Sequence, residues 1–416
     1  MLRKRLAALF TSVFITYGNP AVSAPKDVDS TEPSKPTADY LSETPKSALN
    51  LNPIPKKRGD YDSNYHISPC FISLKHSFSA SHSRNQQTVY YPGAYKILRG
   101  YSDIKTAQKH LQTLGFDIGS TAPDGIIGAK TRAAITEFQT LYGPIENTLK
   151  PTGRLDRLTF EHMAYYAEHA IKDAKRYYVS AMVMGSIRLA QMRTGADFEF
   201  MVELARQESS FRSYVSAPVG TANGLYQFIE STWLKIVYNR GCDYGLEQYA
   251  RDITFDLEDL TPREIRNDKT PEIEPDMANA KQKAALLAMR KNPRYSAIFA
   301  AENNRRESNM VAKFLDRPVT KPVEKYIVHF LGVEGAYFFL KHYDETPDAR
   351  ASDFFKREAR SNPAVFKNRN YRQVYAYLDR KFNTGLYREY TAFKPYVPAR
   401  EFSVSYKHND RPLKGS

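Results

Sequence analysis

Glu208 is the residue in this chain best placed to do proton chemistry. It lies in Ala-Arg-Gln-Glu-Ser-Ser-Phe (205–211), fifteen positions before a second short motif, Asn-Gly-Leu-Tyr-Gln-Phe (223–228). At about 3.6 residues per turn, Met201, Leu204, Ala205 and Glu208 share one stripe of a helix, while Glu203, Arg206 and Gln207 point the other way. A carboxyl is thus set on the side that faces a core. Burial disfavours the ionised form, which suits an acid that must donate a proton near neutral pH. The opposing view is a helix-end carboxylate with an ordinary structural partner, and the residue alone does not separate the two. After Phe211 a loop of small and turn-forming residues, with Pro218 and Gly220, leads to Gly224. A second apolar segment carrying Tyr226, Gln227 and Phe228 ends at Trp233, the one tryptophan of the chain.

The pair "QESSF" and "GLYQF" at this spacing resembles the signature of the soluble lytic transglycosylases, lysozyme-fold enzymes that cleave peptidoglycan glycan strands. The resemblance implies that Glu208 is the sole catalytic acid/base. It implies that Ser209 and Gln227 position the sugar, and that Gly224 and Tyr226 belong to the segment lining the groove. Tyr226 stands where the family usually has methionine. Downstream, 286–308 and 324–340 resemble the later helices of one secreted branch of that family, which would place Glu302 and Tyr326 near the groove. The stretch 354–382 resembles the same branch. Where many members carry Ala-Tyr-Asn before a glycine-rich turn, this chain has His329, Phe330 and Leu331 before Gly332. A hydroxyl and an amide expected beside the sugar are therefore absent.

The elements that must carry these residues read as helices. Ile104, Ala107, Leu111 and Leu114 recur at helical spacing and Gly115 stops the run. A turn, Asp-Gly-Ile-Ile-Gly (124–128), precedes a second helix over 130–141, and Gly153 to Asp156 open a third that ends near Tyr166. Asp124 and Gly125 suit the tight turn, and Thr131 can bond back to it. This helix, turn and helix resembles the peptidoglycan-binding module often attached to wall hydrolases. A packing unit without a ligand is the plainer alternative. Residues 170–193 read as one long helix with methionine and alanine on its core side. Residues 252–275, charged and interrupted by proline, read as a solvated loop or a flap.

The expected fold is mainly α: a small three-helix peptidoglycan-binding domain, then a lysozyme-like, predominantly helical catalytic domain. The boundaries are a leader at 1–24, a Pro/Ser-rich tether at 25–92, the binding domain at 93–167, the catalytic domain at 168–390 and a basic tail at 391–416.

Composition narrows the partners. The 416 residues carry a net charge of +14 with 42% hydrophobic content, enough for packed cores and favouring an anionic partner. Arg3, Lys4 and Arg5, a short apolar run and Val22-Ser23-Ala24 have the layout of a secretory signal peptide, too short in its apolar part to span a bilayer. The expected location is periplasmic or secreted, with no stable membrane insertion after removal of the signal. Peptidoglycan glycan strands become the expected partner and nucleic acid drops away, while protein partners stay unknown. Cys70 and Cys242 permit one disulfide. No cofactor is expected, and the nine histidines show no metal-binding spacing.

The transglycosylase reading implies one carboxyl acting twice, first as acid, then as base toward the sugar's own 6-hydroxyl. A hydrolytic muramidase on the same fold, with Glu302 or Glu230 as a second carboxylate, is the nearest alternative. A thiol enzyme using Cys242 with His329 and a non-catalytic peptidoglycan-binding protein stay open behind it.

Overall fold

The computed structural model describes residues 93–382 apart from 121–122, 147–148, 219 and 258–272. The leader, the tether, Cys70 and the basic tail lie outside the described residues. The protein is mainly helical. α1 (Tyr101–Thr113), α2 (Ala129–Glu146) and α3 (Arg157–Tyr177) come first. α4 (Ala181–Thr194), α5 (Phe198–Ser209) and α6 (Glu230–Arg240) follow. α7 (Glu247–Asp252) leads into strands β1 (Ile253–Leu257) and β2 (Ile273–Met277). α8 (Ala280–Ala288), the long helices α9 (Pro293–Leu315) and α10 (Pro322–Glu345), and three short helices, α11 (Ala351–Phe354), α12 (Lys356–Ser361) and α13 (Pro363–Phe366), precede the closing α14 (Tyr371–Phe382).

α4 is the centre of the packing. Every residue from Val183 to Ala190 is buried, so the helix has no solvent face and is enclosed by α3 and α9. Its start is fixed by Ser180, whose hydroxyl accepts from the Val183 N–H at 3.3 Å, and its end by Gly195 in the left-handed region. The long helix expected over 170–193 is therefore two helices. The break is at Tyr178, which adopts φ 55 although it is not a glycine, and the Ser180 cap then starts α4 afresh. One ion pair joins the two pieces across that break. Arg188 Nε donates to Asp173 at 2.7 Å, with the guanidinium 3.4 Å over the Phe198 ring.

α3 itself runs without interruption through position 167, so the N-terminal helices and the later ones share an element. Arg294 ties them a second time. This arginine of α9 is 1% exposed, donates to the carbonyls of Leu114 and Gly115 and to Glu137, and lies 3.9 Å over the Phe116 ring.

Two smaller expectations are corrected. Residues 252–275 are not simply a loop, because β1 and β2 pair antiparallel with Ile253 opposite Met277 and Phe255 opposite Pro275. α2 runs on to Glu146 with Pro144 inside it, beyond the expected end at 141. Among the described residues no helix is long and apolar enough to cross a membrane.

Candidate active site

α5 begins where Asp197 accepts from the Phe200 N–H at 2.9 Å, an N-cap that fixes the helix phase and hence the direction of Glu208. The core-facing stripe is wider than expected. Glu203, assigned from spacing to the outer face, is 2% exposed and takes a 2.7 Å bond from Arg206. Arg206 and Gln207 are half-buried too, both donating to the Lys381 carbonyl of α14, because that closing helix covers the face left free by the rest of the fold.

Glu208 lies at the last turn of α5 with its side chain 9% exposed. Immediately after it, Ser210 and Phe211 both have positive φ, 51 and 64, a conformation that costs non-glycine residues energy and gathers at functional turns. This bend brings the second motif back onto the first. Ser209 Oγ donates to the Leu225 carbonyl at 2.8 Å, so the residue after the candidate acid is stitched to the 223–228 segment. Gly224 has φ 81, and a Cβ there would stand 1.8 Å from the Arg290 carbonyl oxygen, so only glycine fits. Arg290, itself buried, in turn donates to the carbonyls of Thr221 and Phe228.

The remaining candidates divide. Gln227 donates its amide to Val215 and Gly224 carbonyls, which uses it to close the loop. Tyr226 is 2% exposed and donates its hydroxyl to the Met201 carbonyl at 3.0 Å. Its ring is part of the core under the loop instead of a groove wall, since the hydroxyl finds its partner inward. Tyr326 is also 2% exposed, stacks on Phe382 at 4.7 Å, and is close enough to Glu208 that the carboxylate's charge adds to burial in pushing its phenol up. Glu302 belongs to a different constellation. It accepts from Tyr244 at 2.6 Å and Arg240 at 3.0 Å, and Arg305 also bonds to it. Burial alone would raise its pKa, but these donors outweigh it and hold the carboxyl below the usual range. Glu230, the other suggested second carboxylate, is 2.6 Å from Lys283 Nζ.

His329 is the residue that sequence reasoning did not place at this site. Its Nε2 lies 3.1 Å from Glu208 Oε1. Burial pulls the imidazole pKa down, and the Glu208 carboxylate, its hydrogen bond and the charge of Glu307 more than reverse this, so the net direction is upward. Glu307, on α9, is pushed up chiefly by burial, against the pull of Arg306 and His329 and a bond with Asn303. Lys381 on α14 is near enough to feel the Glu208 charge, although burial and Arg206 lower its pKa overall. The site therefore pairs one carboxyl with an imidazole, and the charge of Glu307 reaches the same imidazole. His329 is the histidine that the thiol reading pairs with Cys242. The available signal was the departure itself, a histidine where the resembled branch has a small residue.

Glu208 Oε1 is engaged by His329, whereas Oε2 makes no hydrogen bond among the described residues. One oxygen is held and the other is left without such a bond. Among the described residues no group of three or more His, Cys, Asp or Glu is arranged to hold a metal ion.

In the N-terminal helices, two buried glutamines repeat one device. Gln108 accepts from the Gly125 N–H at 2.9 Å and donates to Asp124, the Ile126 carbonyl and Thr131. Gln139 accepts from the Gly153 N–H at 2.9 Å and donates to the Arg154 carbonyl and Thr159. Each amide pins a turn whose glycine has positive φ, 75 and 66. Residues 100–163, which contain both devices, match the family model of a peptidoglycan binding domain. The chain thus carries a peptidoglycan-binding module, and peptidoglycan is its indicated partner. A curated relative, the type VI secretion system spike protein VgrG3 of Vibrio cholerae, is 40% identical over 55 residues. That likeness covers 13% of this chain and 5% of the relative, so the chain spans a small fraction of that protein's length.

Proposed function

We propose that this protein is an exported peptidoglycan lytic transglycosylase in which Glu208 is the single acid/base and the 100–163 module holds the chain to the same polymer. The observation that carries this reading is the state of Glu208: shielded from water, one oxygen fixed by His329, and joined through Ser209 to the loop at 223–228. Glu208 Oε2 gives its proton to the leaving oxygen of the MurNAc–GlcNAc bond as the C1–O bond breaks, and the neighbouring acetamido group supports the positive centre. The carboxylate so formed then removes the proton from the 6-hydroxyl, whose oxygen closes on C1. A 1,6-anhydro ring results, with no water consumed. His329 keeps Oε1 out of play, so the same oxygen gives and retrieves the proton.

Digestion of purified sacculi by the protein and by Glu208→Gln tests this. The expected result is anhydro-ended muropeptides from the parent and none from the variant, with sacculus binding retained. Cleavage by the variant would remove Glu208 from the chemistry. Reducing ends in place of anhydro ends would make the protein a hydrolytic muramidase, a reading to which the half-buried Glu307, in electrostatic contact with His329, offers a second carboxyl. Binding without any cleavage by the parent would leave a peptidoglycan-binding protein alone.

A further inference from the structure

A cavity of about 410 Å³ lies between residues 97–104 and the 127–155 part of the N-terminal helices, away from Glu208. Its lining is of two kinds. Ile97, Ile104 and Ile127 contribute apolar surface, and Arg99, Arg132 and Arg154 contribute charge, with no carboxylate in the lining. All three arginines are exposed, and none makes an ion pair among the described residues.

The backbone under these arginines is fixed. Leu98 N–H donates to the Leu155 carbonyl at 2.9 Å and Ile97 bridges Asp156, so the strand-like segments bearing Arg99 and Arg154 are held side by side. Gln139 pins the Gly153 turn beside Arg154, and a Cβ on Gly153 would come 2.7 Å from Thr136 Oγ1. Arg132 stands in the first turn of α2. Three guanidinium groups are thus carried on a rigid rim round an apolar floor.

We propose that this cavity takes the stem peptide of peptidoglycan, with the arginines gripping its free carboxylates and the isoleucines receiving its alanine methyl groups. The inference rests on the peptidoglycan reading and narrows it. The N-acetylated glycan backbone is uncharged where its lactyl groups carry peptide, and a neutral sugar has no use for three unpaired guanidinium groups. The stem peptide is the part of the polymer that bears several carboxylates, and the planar fork of arginine matches a carboxylate in two parallel bonds. Small methyl groups suit the apolar floor.

The test uses the full chain carrying Glu208→Gln, so that bound polymer stays intact, and sacculi freed of phosphate polymers. Co-sedimentation is measured on native sacculi and on sacculi whose carboxyls have been amidated with carbodiimide and ethanolamine. Arg99→Ala/Arg132→Ala/Arg154→Ala is expected to raise the Kd on native sacculi roughly tenfold. Amidation should weaken the parent to the same degree and the triple variant no further. Unchanged binding by the triple variant, or a parent indifferent to amidation, overturns the proposal. The amidation arm leaves the arginines in place and so decides the question even if the triple variant unfolds. A parent that fails to bind native sacculi at all would instead overturn the peptidoglycan reading on which the proposal stands.

Discussion

Glu208 Oε1 and His329 Nε2 meet at 3.1 Å although 121 positions separate them in the chain. α5 supplies the carboxyl and α10 the imidazole, with α9 and α14 packed close by. Glu307 and Arg306 on α9, Arg206 on α5, Tyr326 on α10, and Lys381 and Tyr377 on α14 are the charged or titratable groups in electrostatic contact with this pair or its neighbours.

On the proposed function, His329 fixes the working orientation of Glu208, so His329→Phe should lower kcat by about tenfold or more with a smaller change in KM. The pH profile separates this from a loss of structure. The folded imidazole titrates above its ordinary 6.5, so the parent should hold activity past that value before declining on the alkaline side. His329→Phe should lack that alkaline limb. An identical limb in parent and variant would assign it to another group.

Glu302 contributes to stability in a way that acid removes. Its folded pKa is depressed, so its contribution is complete above the unfolded value of 4.5 and is lost as pH falls through the lower folded value. His329 has the opposite sign. Its raised folded pKa makes its contribution complete below 6.5 and lost as pH rises through the folded value. Glu302→Gln should cost about 1–2 kcal/mol at neutral pH, with the gap to the parent closing on acidification. Urea melts across a pH series measure both.

Gly224→Ala forces a Cβ into the Arg290 carbonyl while demanding a left-handed conformation from alanine. A loss of at least about 2 kcal/mol is expected, together with loss of activity. Gly220, whose φ is 90 with open space around its Cβ position, is the matched control. Alanine there should cost only the conformational penalty, about 1 kcal/mol.

Arg294→Met keeps volume and removes the bonds to Leu114, Gly115 and Glu137. Stranding buried acceptors in this way should cost about 3 kcal/mol. Hydrogen exchange should rise first at the turn after α1, and an unchanged exchange pattern there would contradict the role given to this arginine.

Local signals carried much of this architecture. The Asp124–Gly125 turn and the glycine at 224 were each read from a few neighbouring residues, and the second sets a tight loop after the helix that carries Glu208. The break at Tyr178 gave no such sign, because no glycine or proline marks it and the cap at Ser180 acts only once α4 is enclosed. Glu203 was misplaced because helical periodicity cannot foresee that α14 covers a second face of α5. His329 and Glu307 come from distant helices, so only the packed fold brings His329 to Glu208 and Glu307 within electrostatic reach of His329. The turn-pinning roles of Gln108 and Gln139 left a faint trace, a glutamine followed at similar distances by a glycine and a threonine.

α3 crosses without interruption from the wall-binding helices into those that enclose Glu208, and Arg294 fastens the same junction. On the proposed function, the anchor and the cutting point cannot drift independently, as they would on a loose leash. On that reading, the spacing between a gripped stem and a severed bond is set by the length of one rod, and the protein works as a caliper laid along the strand.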